Sequence, residues 1–265
     1  MITRTELLDG MTKFVPAKLR NHFIRSLERT SDEQTSDTLI LTSERVDMFT
    51  SLRRLSSLGF RPRSVIDVGA HEGVFTKKVS KIFNSATFVL VEGNPEKLTT
   101  LERFVSQNPT RFKLHGVLLG AVSDVVKFHI MEGETGSSVF LEQSNLSHRI
   151  VEVPQVRLSD IISVNERPSL IKLDVQGYES QVLSGIDPFH YPEFFLCELS
   201  LLPLNIGVPE FDAMICQFAE MGYVLYDICG ITRRPLDSSI WQVDGLFVRK
   251  NSEYRQQLIT GHGGA

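Results

Sequence analysis

Ser64-Val65-Ile66-Asp67-Val68-Gly69-Ala70-His71-Glu72-Gly73 is the stretch on which the fold turns. A β-branched apolar run that ends in a glycine-rich turn and opens an amphipathic segment reads as strand, turn and helix, the βα unit on which nucleotides bind. A second apolar run, Ala86 to Val91, closes on Glu92, where a carboxylate about 20 residues on can accept both hydroxyls of a ribose. The glycine register is Gly69-Ala70-His71-Glu72-Gly73 rather than G-x-G-x-x-G, and Asp67 stands just before it. A carboxylate there repels a pyrophosphate and suits a ligand that carries an amine. S-Adenosylmethionine has an ammonium, a carboxylate, a sulfonium and a ribose but no phosphate, so it fits this arrangement better than NAD does. The bland alternative is a plain βα turn with a solvated Glu92, because a lone glycine pattern is a weak signal.

Working outward, strand-like runs alternate with helix-like ones. Val65 to Val68 is followed by a helical Phe75 to Phe83, Ala86 to Val91 by Pro95 to Val105, and then comes a strand-like Phe112 to Val122. Leu170 to Val175 and Tyr178 to Leu183, then Phe194 to Leu199 and Phe211 to Met221, continue the pattern up to two closing strands, Tyr223 to Ile228 and Val243 to Val248. This order predicts an α/β fold with a doubly wound, mainly parallel sheet, whose last two strands pair antiparallel because only a loop joins them. The segment from Val125 to Pro154 breaks the alternation: Val126 to Ile130 reads as an added strand, and Gly133 to Ser138 as a polar loop of the kind that shapes a substrate site. Residues 1–58 read as an N-terminal helical extension, interrupted by the polar stretch Thr30 to Thr38, with Val46, Phe49, Leu52, Leu55 and Leu58 at helical spacing before Gly59. The sheet domain then spans 59–250, and 251–265 form a tail.

Composition excludes several classes. With 42% hydrophobic and 23% charged residues among 265, the chain suits one globular domain with a helical annex. A net charge of −4 and a pI near 6.0 give no electrostatic reason to expect nucleic acid. Cys197, Cys216 and Cys229 are odd in number, widely spaced and set in apolar segments, which reads as buried thiols in a reducing compartment. No apolar run approaches the ~20 residues of a membrane span and the N-terminus lacks a signal-peptide core, so a cytoplasmic protein without a transmembrane segment is expected. Phe14, Val15, Leu19, Phe23, Ile24 and Leu27 among Lys18, Arg20, Arg25 and Arg29 form an amphipathic face. That face suits packing on the chain's own domain or in a homodimer, and less well a membrane surface.

Ligands of doubly wound sheets bind outside the carboxyl ends of the strands. Asp67, Glu92, Asp174 and Glu198 fall at those ends, with Ser123 and Asp124 after the third strand. His115 and His129 lie in strand-like runs and read as packing residues. Trp241 suits either an aromatic wall of the acceptor pocket or, more commonly, core closure.

Five segments together resemble the FkbM family of S-adenosylmethionine-dependent methyltransferases. They are Val65 to Gly73, Val91-Glu92-Gly93-Asn94-Pro95, Ile171-Lys172-Leu173-Asp174-Val175-Gln176-Gly177-Tyr178-Glu179, Cys197-Glu198-Leu199-Ser200 and Val243 to Val248. The match runs from about residue 46 to 250, and it departs from the family at His71, usually Asn, and at Gln176, more often Glu. The resemblance implies a class I methyltransferase (Rossmann-like) fold with a seven-stranded sheet. It also implies methyl transfer to a hydroxyl of a glycan, sugar-containing or polyketide natural product. Gly69, Ala70, His71 and Gly73 would then cradle the methionyl part of the cofactor, with Asp67 on its ammonium side. Glu92, with Gly93 and Asn94, would hold the ribose. Val122, Ser123 and Asp124 would flank the adenine. Asp174 would serve as the base, beside the cofactor, and Glu198 would assist. The same pair, Asp174 and Glu198, is the candidate for sharing a divalent cation such as Mg²⁺, though two ligands alone make a thin site. Asp174 capping the turn before Gly177 is the structural alternative. Two other functions compete: a catalytically silent cofactor-binding partner subunit, and an NAD-dependent oxidoreductase, against which Asp67 and the turn both argue.

Overall fold

The computed structural model describes residues 47–131, 137–139, 148–202, 207–234 and 236–255. The helical segments expected before residue 47, the Gly133–Gly136 part of the expected polar loop and the expected tail beyond Arg255 lie outside the described residues. Helix α1 (Met48–Ser57) starts where the Asp47 carboxylate accepts from the Thr50 N–H at 2.7 Å, and it stops before Gly59, at φ +94°. Strand β1 (Ser64–Val68), helix α2 (Val74–Ile82), strand β2 (Thr87–Val91), helix α3 (Pro95–Val105) and strand β3 (Phe112–His115) follow. Helix α3 shows the sequence logic of a helix start: Asn94 caps it, accepting from the Glu96 N–H at 3.0 Å, and Pro95 supplies the first turn.

After β3 the chain leaves the main sheet. Where a single strand from Phe112 to Val122 is expected, the structure breaks at Gly116, and Leu118–Leu119 (β4) joins a second sheet. A Cβ at Gly116 would lie 2.9 Å from Leu98 of α3, so glycine allows the close passage at this exit. Strand β5 (Asp124–Met131) contains the added strand expected at Val126 to Ile130, and β6 (His148–Val156) pairs with it antiparallel, from Asp124 opposite Gln155 to Met131 opposite His148. Pro154 is tolerated in β6 because β4 pairs only with Gln155 and Val156, leaving an open edge at 154.

The main sheet resumes with β7 (Leu170–Leu173), α4 (Glu179–Ser184), β8 (Phe194–Ser200), α5 (Phe211–Glu220), β9 (Tyr223–Arg233) and β10 (Ile240–Arg249). Its order is β3-β2-β1-β7-β8-β10-β9, seven strands, parallel from β3 to β8, with β10 antiparallel to both of its neighbours. The expected doubly wound, mainly parallel α/β sheet is therefore present, with the last two strands paired as a hairpin. Each face buries its own core. Ile66, Val68, Leu173, Phe195 and Phe247 pack on one side with Met214 and Phe218 of α5. Val65, Phe88, Leu90, Leu170 and Leu246 pack on the other with Leu52 and Leu55 of α1 and Phe75 and Val79 of α2. The period of two along β1 thus sends Asp67 to the α2 side together with Val65. Cys197 and Cys229 are buried, but Cys216 is exposed, because α5 turns Met214 and Phe218 inward and Cys216 falls between them on the outer face. Among the described residues no helix is long and apolar enough to cross a membrane.

Candidate functional site

A cleft of about 210 Å³ opens at the carboxyl ends of β1, β2 and β7. Its first wall is the turn after β1. Gly69 sits at φ +75°, and a Cβ on it would lie 1.9 Å from the Asp174 carbonyl oxygen, so no other residue fits between the two loops. The Gly69 and Ala70 N–H groups both donate to the Val91 carbonyl, at 3.0 and 3.1 Å, which ties this turn to the end of β2. His71 follows at φ +50° and lines the cleft, while Ala70 is buried and Gly73, at φ +73°, begins α2 behind it.

Glu92 stands at the end of β2 with its carboxylate on the cleft wall. Its two oxygens accept from the His71 N–H at 2.6 Å and the Asn94 N–H at 2.7 Å. Burial raises its pKa above the ordinary carboxylate value, and the same two N–H groups oppose that shift. Each oxygen keeps a further lone pair, so a fixed two-pronged acceptor faces the cleft. Gly93 and Asn94 also line it, and a Cβ at Gly93 would lie 2.3 Å from Leu118.

The facing wall is apolar: Val117, Leu118, Leu119 and Phe128, with Val139 beside them. Val122, Ser123 and Asp124, expected to flank the adenine, are not among the residues that line the cleft. The chain has already left the main sheet at Gly116. Val122 is half exposed, Ser123 donates to Asp160 at 2.8 Å, and Asp124 accepts from the Val125 N–H.

Asp67 also lies outside the lining. Its carboxylate is fully buried beneath α2, accepting from the Thr76 hydroxyl at 2.7 Å, and takes no part in the cleft lining. Its neighbour across the parallel β1–β7 register is Lys172. The Lys172 ammonium lies 3.3 Å from Asp67 and 3.2 Å from Asp174, and donates to the Gly69 carbonyl at 3.1 Å. Burial works against that ammonium, but the two carboxylates outweigh it and raise its pKa above the usual lysine value. Lys172 was not anticipated as a hub. The available signal was a charged residue inside the otherwise apolar Leu170–Leu173 strand, which demands a buried partner.

Asp174 lines the floor of the cleft, with one oxygen on Lys172 and the other accepting from the Gln176 amide at 2.9 Å. Glu198 is brought close but lies outside the lining; one of its oxygens accepts from the amides of Gln176 at 3.2 Å and Gln242 at 2.9 Å. Asp244, opposite Glu198 in the β8–β10 register, joins this group. Burial, then the charge of Asp174, pushes Glu198 well above the carboxylate range and Asp244 up to about 6. The turn that carries Gln176, at φ +54°, and Gly177, at φ +99°, is held by Glu179. That residue accepts from the Val175 and Gly177 N–H groups at 2.9 and 3.2 Å, and burial pushes it up to about 7. The turn-capping role considered for Asp174 thus falls to Glu179. Trp241 does not line the cleft.

A cation shared by Asp174 and Glu198 would have to sit where the Gln176 amide nitrogen donates to both, with Lys172 already on the second Asp174 oxygen. This arrangement does not fit a shared ion. Among the described residues no group of three or more His, Cys, Asp or Glu side chains is placed to hold a metal.

The model of the methyltransferase FkbM domain family matches residues 67–225. No curated protein sequence matches the chain. Among solved structures, a methyltransferase FkbM from Methylobacillus flagellatus KT is 17% identical at a TM-score of 0.49, over 77% of this chain and 48% of that one, so this chain spans about half of its length. Precorrin-6y C5,15-methyltransferase from Geobacter metallireducens GS-15 aligns at 9% identity and a TM-score of 0.45, over 79% and 93% of the two chains. TYW2 from M. jannaschii, in complex with AdoMet, aligns at 11% identity and a TM-score of 0.41, over 76% and 75%.

Proposed function

Because the chain belongs to the FkbM methyltransferase domain family, we propose that it is an S-adenosylmethionine-dependent O-methyltransferase. The acceptor would be a hydroxyl of a glycan, sugar-containing or polyketide natural product. In this reading residues 59–250 form the catalytic domain and 1–58 a helical extension. The observation that carries the cofactor assignment is Glu92: a buried carboxylate aimed into the cleft by two backbone N–H groups, with lone pairs left for a pair of vicinal hydroxyls. Gly69 lets the turn pass directly against the Asp174 carbonyl, and the positive end of α2 behind that turn favours the carboxylate of a ligand's methionyl end. Leu118 and Phe128 offer the apolar surface that an adenine ring stacks against.

S-Adenosylmethionine, when bound, supplies an electrophilic methyl group on sulfonium. The protein's part is alignment, exclusion of water and removal of a proton from the attacking hydroxyl, an acid too weak to ionise unaided at neutral pH. Asp174 is the carboxylate on the cleft floor that can take that proton. Lys172 pairs with one oxygen of that carboxylate, and the Gln176 amide donates to the other and fixes its orientation.

Calorimetric titration with S-adenosylhomocysteine, with NAD as the comparison ligand, tests the reading. Binding of the homocysteine product and not of NAD is expected, with Glu92→Ala weakening it by about ten- to a hundredfold, the scale of hydrogen bonds to a charged group. Asp174→Asn should retain binding and lose about 10²-fold or more in turnover. Binding of NAD alone, or of neither ligand, sinks the assignment.

A further inference from the structure

A second concavity of about 920 Å³ lies at the opposite edge of the sheet, where the parallel strands begin. It is walled by the segments that precede β1, β7, β8 and β9 and by the residues that follow β10. Five cationic side chains line it, Arg61, Arg63, Arg167, Arg249 and Lys250, against two carboxylates, Glu193 and Glu253. The chain as a whole carries a net charge of −4, so this concentration of positive charge is local.

The way these cations are held matters more than their number. Arg61 donates to the Phe60 carbonyl at 3.0 Å, Arg167 to the Tyr191 carbonyl at 3.0 Å, and Arg249 to the Pro192 carbonyl at 2.9 Å. Carbonyls orient a guanidinium without neutralising it, and each fork retains N–H groups for another acceptor. Among the described residues, the one ion pair in the groove is Arg249 with Glu193, at a loose 4.0 Å. The side chains of Arg63 and Lys250 have no hydrogen-bond or ion-pair partner among those residues. Like charges gathered in a concavity and left uncompensated repel one another and focus a positive potential, an arrangement that an anion relieves. Planar guanidinium forks match phosphate oxygens two at a time.

We propose that this groove is a binding site for a soluble oligophosphate anion, separate from the cleft at the other edge of the sheet. A concave site with carboxylates in its lining suits a compact ligand that enters it, whereas a lipid surface would meet only the rim. The inference does not rest on the methyltransfer reading, and the two can fail independently.

The test is calorimetric titration of the full chain with sodium tripolyphosphate, at low salt and again at about 0.15 M. A single saturable site is expected, weakened by salt. Arg63→Glu and Lys250→Glu, both on exposed side chains, should each weaken it by about tenfold or more, since charge reversal acts on a multiply charged ligand at close range. An unchanged urea-unfolding transition in both variants reports that they fold, whatever the outcome at the other cleft. Absence of tripolyphosphate binding, or binding by both variants as tight as that of the unsubstituted chain, overturns the proposal. Binding of phosphatidylglycerol vesicles without tripolyphosphate binding overturns it too, and assigns the face to a membrane surface.

Discussion

At the Gly69–Asn94 end of the cleft a single carboxylate, Glu92, is fixed by two backbone N–H groups. At the Asp174 end, Asp67, Asp174 and Glu198 share one ammonium and two side-chain amides, with Asp244 facing them. The first arrangement depends mainly on the path of the main chain, with the charges of His71 and Lys172 acting on Glu92 only behind burial and the two N–H groups. The second is a balance of buried charges in which each member sets the cost of the others. Removal of the Glu92 carboxylate should therefore be mild in its effect on folding, whereas single substitutions at the second end should be severe, mutually compensating and sensitive to pH.

The largest effect is expected at Lys172. Lys172→Met leaves Asp67 fully buried without its cation, and removing one partner of a buried pair costs roughly 3–5 kcal/mol. Urea denaturation should show that loss. The double variant Asp67→Asn with Lys172→Met should recover most of it, because no buried charge then stands alone. A loss under about 1 kcal/mol in the single variant, on the scale of an exposed pair, would mean that the ammonium does not hold this end together, and the contrast between the two ends would collapse.

A smaller effect, of opposite logic, is expected from Glu179. Its carboxyl is pushed up from 4.5 to about 7 by burial, so the folded chain keeps a proton that the unfolded chain has already released between those values. Stability then falls as pH rises from 4.5 to 7 and levels off above, by at most about 3 kcal/mol for this group. Glu179→Gln, whose amide oxygen can still accept from Val175 and Gly177, should flatten that part of the profile. Unfolding free energies measured from pH 5 to 8 for both proteins decide the matter. Parallel profiles would show that Glu179 does not titrate in this window.

How much of this was legible beforehand differs between the two ends for a physical reason. The turn and its acceptor could be read from sequence because Gly69, Glu92 and Asn94 act through local geometry: a backbone that needs glycine, a strand end, a helix cap. The alternation of elements also placed the main sheet. The second sheet was only partly visible, since β4 is two residues long and β6 is largely exposed, so neither carries a strong apolar period. The charge network was least visible. Asp67 stands beside the turn in sequence, yet strand alternation puts it with Val65 under α2, and its partner comes from β7, about 100 residues later, through a register that no local pattern encodes. Asp244 and Gln242 meet Glu198 in the same way, across β8 and β10.

The smallest expected effect concerns Ser123 and Asp124, which the sequence reading set beside the cofactor and which lie outside the cleft lining. Ser123→Ala removes a hydrogen bond to an exposed Asp160, and Asp124→Ala removes only a local one to Val125. Each should shift stability by no more than about 1 kcal/mol and leave S-adenosylhomocysteine affinity unaltered. Leu118 packs directly against Gly93 and lines the cleft, so Leu118→Ala should weaken that affinity several-fold while Ser123→Ala and Asp124→Ala do not, on the scale of about 25 cal/mol per Å² of apolar contact. The three variants therefore report on one junction, the exit of the chain at Gly116. If Asp124→Ala lowers affinity and Leu118→Ala does not, the ligand contacts the loop after β4, and the wall of the cleft has been assigned to the wrong side of that exit.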